Sequence, residues 1–461
     1  MNTKTNRKKF IKIASAAIAG LSLSQANAFP LIDINKRIIG ANERIRMGFI
    51  GTGNRGTQLL RIFMKNPLCE VGALCDIYKP LVARDNTQVS ERYLKYHRIP
   101  KMGEKFDNQV ARYSDYRKLL EDKSVDAVCI ATPDHWHALQ TIDAIKAGKD
   151  VYVEKPLSKT IHEGRAMINA ARNSKQIVTV GLNRRAAPLY QKLAQEIPAG
   201  KIGKVSFAQT YYVSNMFPAG IGKMKPEAPP QDFDWDMWLG PRAYRSYQYN
   251  IAPYMYRWWA DYGDQLSNNG VHFLDLIRWM LGEKAPVAIS AHGGNYVIDD
   301  DRTIPDTLHV TYEFASGKIV TINILEGTTG PFMPFGYIEV RGTKGTIYTH
   351  ENEYKLVPAV AGQFQSYDKP LQEENFSVAD PKLRDSTTNL INNFLDCVKS
   401  RNQPLATLED GHLSTTMAHL GMIALKTKQH LMWDAQKERF TNSEAANKYL
   451  GYKYRAPWKL G

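Results

Sequence analysis

Two side chains far apart in the chain have the chemistry to polarise a carbon–oxygen bond and to take a proton: the amine of Lys155 and the imidazole of His272. Lys155 sits in Glu154-Lys155-Pro156, directly after the apolar run Val151-Tyr-Val153. A lysine placed at the end of a buried strand is partly desolvated and loses proton affinity, so it can donate to or anchor a substrate oxygen. The proline after it holds the lysine backbone extended. His272 lies in Asn268-Asn-Gly-Val-His272-x-x-Asp275. If a helix starts early enough, Asn268 and His272 share a face at i, i+4, and Asp275 is adjacent at i+3. Histidine is the natural general base for removing a hydroxyl proton. Upstream, eight aromatics fall between Tyr244 and Tyr262, Trp258 and Trp259 among them. Flat faces with polar tips suit sugar rings; they suit an aromatic seam between domains equally well.

These groups need a frame, and the frame is written in glycines. Met47-Gly-Phe-Ile50 is a short apolar run, followed by Gly51-Thr52-Gly53-Asn54-Arg55-Gly56 and a helical pattern. A second apolar run, Val71 to Cys75, ends in Asp76, twenty residues after Gly56. Strand, glycine turn, helix, strand and terminal acid in this register predict a dinucleotide site. Gly51 permits the tight turn, Gly53 leaves room for a pyrophosphate, and Gly56 lets helix and strand pack closely. The helix N-terminus offers free N–H groups to the phosphates. Asp76 would accept from the adenosine ribose and repel a 2′-phosphate, which favours NAD over NADP.

Two further strand ends should reach the same edge of the sheet. Val125 to Ala131 runs into Thr132-Pro133-Asp-His135-Trp-His137, and Val151-Tyr-Val153 runs into Glu154-Lys155. These residues are expected to border the nicotinamide. His135 and His137 on a strand would share a face, as metal ligands do. No Cys, His or acidic partner follows at metal-site spacing, so no metal is expected. The imidazoles are read as lining the nicotinamide pocket or capping the helix start.

Strand and helix patterns alternate to about residue 183, which predicts a doubly wound parallel sheet. The expected helices include 80–97, 113–121, 137–147 and 161–173. Beyond it, successive β runs predict an open, mostly antiparallel sheet in a second, α+β domain. Two hairpins stand out, 307–325 and 337–349, and two amphipathic helices follow near 386–399 and 412–430. The division is then 1–28 leader, 29–183 dinucleotide domain and 184–461 substrate and oligomerisation domain.

The chain has 461 residues and a formal charge of +14. Arg7, Lys8, Lys9 and Lys12, the apolar stretch Ile13 to Leu23 and Ala26-Asn27-Ala28 make a signal-peptide pattern. Asn6 to Lys12 is similar to a twin-arginine signal with Lys8 at the second arginine; ordinary secretory export fits as well. An exported, periplasmic location is the expectation. The basic residues are scattered, which suggests solubility and attraction to acidic glycans and argues against nucleic acid. No apolar run after the leader is long enough to insert in a membrane. The four cysteines, Cys69, Cys75, Cys129 and Cys397, fall in apolar settings and imply no disulfide framework.

Together, Gly51-x-Gly53-x-x-Gly56, Asp76, Thr132-Pro-Asp-His-Trp-His137, Glu154-Lys155-Pro156 and Gly270-Val-His272-x-x-Asp275 resemble the Gfo/Idh/MocA family of oxidoreductases. Asp234-Trp-Asp-Met-Trp-Leu-Gly-Pro241 and the C-terminal Tyr454-Arg-Ala-Pro-Trp458 look like its exported bacterial branch. The resemblance implies a Rossmann domain plus an open-sheet domain, NAD or NADP, a sugar or polyol substrate, and homo-oligomers formed through the sheet. It makes Lys155 the motif lysine and His272 the motif histidine. Many members carry aspartate where this chain has Asn268. An amide can orient His272 but cannot stabilise an imidazolium by charge, so Asp264 or Asp275 substitutes or the chemistry is tuned differently. The expected activity is NAD-dependent oxidation of a sugar or glycoside hydroxyl. The alternative is a glycosidase that uses bound NAD in an oxidation–elimination–reduction cycle. Lys155 departs from the pattern of the NAD-dependent glycosidase group with this fold.

Overall fold

The computed structural model describes residues 43–364, 366 and 370–460. The leader expected over 1–28 lies outside the described residues. Strands β1 (Ile45–Ile50), β2 (Cys69–Cys75), β3 (Ala111–Tyr113), β4 (Ala127–Ile130), β5 (Asp150–Val153) and β6 (Val178–Val180) form a parallel sheet in the order β3-β2-β1-β4-β5-β6. The order reverses between β1 and β4, the place where such sheets open a crevice at their carboxyl ends. β4 and β5 are buried along their whole length, as expected of strands covered by helices on both faces. The Asn54–Met64, Asp134–Lys146 and Ile161–Arg172 helices supply those covers. The Ser386–Ser400 helix returns from far along the chain to join the same core, where Phe394 meets Phe63 and Tyr152 edge-on.

A second sheet is built from β7 (Val205–Val213), β8 (Ala288–Gly294), β9 (Thr307–Glu313), β10 (Ile319–Leu325), β11 (Ile338–Gly342), β12 (Gly345–Thr349), β13 (Glu353–Pro358), β14 (Glu374–Ser377), β15 (Leu431–Asp434) and β16 (Arg439–Phe440). Its order is β14-β13-β12-β11-β7-β10-β9-β8-β15-β16, antiparallel except where β10 runs parallel to β7. The two expected hairpins are β9–β10 and β11–β12. Apolar side chains of this sheet pack against the Pro188–Glu196, Val271–Met280 and Leu408–Thr427 helices. A third cluster, rich in aromatics, joins Tyr78 and Tyr93 to Phe233, Trp235, Trp238, Tyr247 and Tyr262.

Three expected elements differ. The span 80–97 is not one helix: Arg84 turns left-handed (φ 61°), Asp85 caps a 3-10 turn and Ser90 caps Glu91–Tyr96. Tyr113 ends an edge strand rather than starting a helix. The helix expected from His137 begins at Asp134, after the extended Pro133. His135 and His137 therefore lie in a helical first turn, not on a strand.

Candidate active site

The glycine turn behaves as its spacing requires. Gly51 has φ 84°, and a Cβ there would sit 2.8 Å from the Ala131 backbone. A Cβ on Gly56 would lie 1.9 Å from the Gly51 carbonyl oxygen. On Gly53 a Cβ would meet nothing within 4 Å, so that face opens on the cleft. No side chain caps the Asn54–Met64 helix, whose first N–H groups stay available. An uncapped helix start behind an open glycine fits a pyrophosphate.

Gly51, Gly53, Asn54 and Arg55 line a cleft with Asp76, Thr132 and Pro133. Trp136 and Gln140 line it too. The motif alone points to the flanking histidines; the helix register starting at Asp134 is what turns Trp136 and Gln140 inward. Each histidine is spent on backbone. His135 Nε2 meets the Trp238 carbonyl at 2.9 Å, and its ring packs on Trp238 and Tyr262. His137 bridges the Pro156 and Thr132 carbonyls at 2.7 and 2.9 Å. Neither lines the cleft; they brace its walls. Thr52 is also fully buried: its N–H donates to Asp76 Oδ2 at 2.7 Å, and its carbonyl accepts from Thr57 and Arg84. Arg84, which no motif signalled, clamps the loop from beneath through Thr52 and Thr57 while its fork holds Glu104. Asp76 accepts from the Thr52 and Tyr78 N–H groups. Burial raises its pKa, and those two bonds and Arg84 oppose the rise.

The second cleft adjoins the first and is lined by Glu154, Lys155, Asn268, Trp258, Arg257 and neighbours. Lys155, joined to Pro156 by a cis peptide, extends its amine to Asn268. The Nζ donates to the Asn268 carbonyl at 2.7 Å and to its side-chain Oδ1 at 2.9 Å. Burial lowers the Lys155 pKa to about 8, against the opposing pull of Glu154. Glu154 accepts from Arg55 Nε at 2.8 Å and from the Lys155 N–H at 3.1 Å. Asn268 thus serves Lys155, not His272 as the i, i+4 spacing suggested. Its element begins with a π turn, Leu266–Gly270, before the Val271–Met280 helix. Such turns shift the register of side chains and recur at functional sites.

His272 is held neutral: burial pushes its pKa well below the usual imidazole range, and Lys155, Arg184 and Arg55 push the same way. Its Nδ1 is buried without a hydrogen-bond partner. Neither candidate carboxylate serves it. Asp264 caps the helix start through the Ser267 N–H at 2.7 Å. Asp275 accepts from the Arg185 fork at 2.8 to 3.1 Å and from Ser414 at 2.7 Å. Of the two tryptophans, Trp258 lines the second cleft and donates to Glu326. Trp259 is buried, donates to the Asn250 carbonyl and carries Arg245 on its face. It belongs to the aromatic seam, not to a sugar platform.

Fold and site together define a two-sheet protein with a dinucleotide cleft and, beside it, a polar cleft holding a tempered lysine. The chain belongs to the Gfo/Idh/MocA oxidoreductase family: residues 45–182 match its NAD-binding Rossmann fold and residues 201–460 its C-terminal alpha/beta domain. It is similar to "Glycosyl hydrolase family 109 protein 1" of Shewanella sp. (strain ANA-3), 31% identical over 182 residues. That match covers 37% of this chain and 38% of the relative. It is 25% identical over 338 residues to myo-inositol 2-dehydrogenase of Thermotoga maritima, across 72% of this chain and 86% of that one. Its fold is that of the structure of levoglucosan dehydrogenase with NADH and levoglucosan (TM-score 0.61, 17% identity, 85% and 99% coverage).

Proposed function

We propose that the protein is an NAD-dependent oxidoreductase acting on a hydroxyl of a sugar or glycoside. The observation that carries this reading is the Lys155 amine, held by Asn268 in the polar cleft that adjoins the dinucleotide cleft, with its pKa lowered to about 8 by burial. NAD, when bound, supplies a two-electron acceptor. The chain supplies the rest. Gly53 and the uncapped helix start would hold its phosphates, and Asp76 its ribose. Lys155 would donate a hydrogen bond to the substrate oxygen, stabilising charge as it develops there. His272, neutral at rest, would take the hydroxyl proton. Turnover assays on Lys155→Ala and His272→Ala test this; near-normal rates in both would sink it.

A second reading, a glycosidase that recycles bound NAD, draws on the glycosyl hydrolase relatives. Release of sugar without net NADH distinguishes it. The first cleft also supports retention of the cofactor. Phe233, Met237, Trp238, Pro253, Tyr254 and Tyr256 form its far wall, and Phe233, Trp238 and Tyr256 belong to the packed aromatic cluster. Such a wall slows release, which suits an exported protein where free NAD is scarce. Cleavage after Ala28, tested by N-terminal sequencing of the periplasmic fraction, and a homo-oligomer through the second sheet, tested by light scattering, complete the proposal.

A further inference from the structure

The second cleft is lined by four cations, Arg55, Lys155, Arg98 and Arg257, and by one carboxylate, Glu154. Glu154 is already paired with Arg55 at 2.8 Å. Lys155 is held by a neutral amide. Among the described residues, neither Arg98 nor Arg257 makes an ion pair. Arg257 gives Nη1 to the Tyr254 carbonyl at 2.8 Å and lies over the Tyr254 and Tyr256 rings at 4.4 and 4.5 Å. Arg98 approaches the Tyr254 ring at 5.5 Å. Among the described residues no acid reaches either guanidinium within ion-pair distance, and Asp134 and Glu154 favour the charge on Arg257 only from farther off. Arg302 is consumed by Asp300 and Glu326, all fully buried, and Asp134 is buried in the first turn of its helix.

The dinucleotide does not use up this charge either. Its phosphates would lie at the glycine turn, which borders the first cleft. Arg257 lines both clefts, but Arg98 lines only the second. Arg98 is moreover held in a backbone conformation that non-glycine residues seldom adopt, φ 49°. Its carbonyl accepts from the side chain of Asn54, inside the glycine turn, at 2.9 Å. The left-handed turn at Arg98 ends the Glu91–Tyr96 helix, and the bond from Asn54 ties that end to the glycine turn beside the cleft. The rest of the lining is neutral, and within it Asn215, Gln265 and Asn269 are suited to hydroxyls.

We infer that the sugar oxidised here is anionic, carrying a carboxylate or sulfate ester that Arg98 and Arg257, gathered at the Tyr254 ring, receive. This rests on the sugar-oxidising reading and narrows it. A guanidinium fork matches either anion with paired, charge-assisted hydrogen bonds.

The test uses the purified full-length protein with NAD+ and matched pairs: galactose against galacturonate, glucose against glucuronate, and galactose against galactose 6-sulfate. Binding is read by saturation-transfer NMR and turnover by NADH formation. The expected result is that one acid is bound and oxidised with kcat/KM at least roughly tenfold above its neutral partner, the effect of one charge-assisted contact. That preference should fall as salt rises. Arg98→Gln should raise KM for the acid more than it lowers kcat and collapse the acid-to-neutral ratio. Preference for carboxylate over sulfate, or the reverse, identifies the anion. A neutral sugar oxidised as well as its acid overturns this inference and leaves the sugar-oxidising reading intact. Acids that bind, lose that binding in Arg98→Gln and are never oxidised would keep the anion site and sink the sugar-oxidising reading. Binding by no acid, or an unchanged ratio in Arg98→Gln, overturns the inference.

Discussion

Burial sets Lys155 and His272 in complementary resting states. The lysine pKa falls to about 8, so near neutrality the amine is still protonated and can donate. The imidazole pKa falls well below 6.5, so it is still a free base. The signs fix the pH profile. The donor form of Lys155 is lost as pH rises through about 8, and the base form of His272 is lost only well below 6.5. A plot of kcat/KM should therefore decline above about pH 8 and stay flat through the usual histidine range on the acid side. Asn268→Asp places a carboxylate on the Lys155 amine, favours its charged form and should move the upper limb to higher pH. An unmoved limb would mean that Lys155 does not titrate it. Lys155→Ala and His272→Ala should each cost about 10²–10⁴-fold in turnover, the range for acid–base groups. The motifs single out both residues as candidates. They do not reveal the partner of Lys155: Asn268 lies 113 residues away, and a helical-wheel argument compares only neighbours on one helix.

At the scale of elements, three glycines in one turn make opposite predictions. Gly51→Ala puts a side chain into left-handed backbone against Ala131, and Gly56→Ala drives one into the Gly51 carbonyl. Both should lower the melting temperature of the cofactor-free protein and weaken NAD binding, by about 1–3 kcal/mol of stability for the strained backbone. Gly53→Ala meets open space. It should leave that melting temperature near wild type and still weaken NAD binding, as calorimetry on the cofactor-free protein would show. The βαβ frame could be read because strand, turn and acid repeat a fixed physical pattern. The bracing elements could not. Arg84 acts by leaving the helical region at one residue, and His135 and His137 act through a register set by where Pro133 lets the helix begin. Neither event leaves a periodic trace. The sequence leaves the aromatic segment 244–262 open between seam and site with both tryptophans as candidates, and only the packed structure puts Trp259 in the seam and Trp258 on the second cleft.

At the scale of the molecule, the far wall of the first cleft comes from outside the Rossmann sheet, so on the proposed retention of NAD its release would require the aromatic cluster to loosen. Protein purified without added nucleotide should carry NAD in native mass spectra. Trp238→Ala, which removes a side chain of that wall packed on Trp235, His135 and Tyr262, should speed NAD dissociation. Equal dissociation rates in the two proteins would show that the wall does not retain the cofactor. The central claim, that Lys155 and His272 serve oxidation of a sugar hydroxyl by NAD, is tested most directly by a single turnover. Protein loaded with NAD+ is mixed rapidly with a panel of neutral and anionic sugars while NADH absorbance is followed. A burst of NADH, close to one per site, is expected with at least one sugar in the wild type, with its near disappearance in Lys155→Ala and His272→Ala proteins that still hold NAD. A burst undiminished in both variants, or no NADH with any sugar from fully loaded wild type, would contradict that claim.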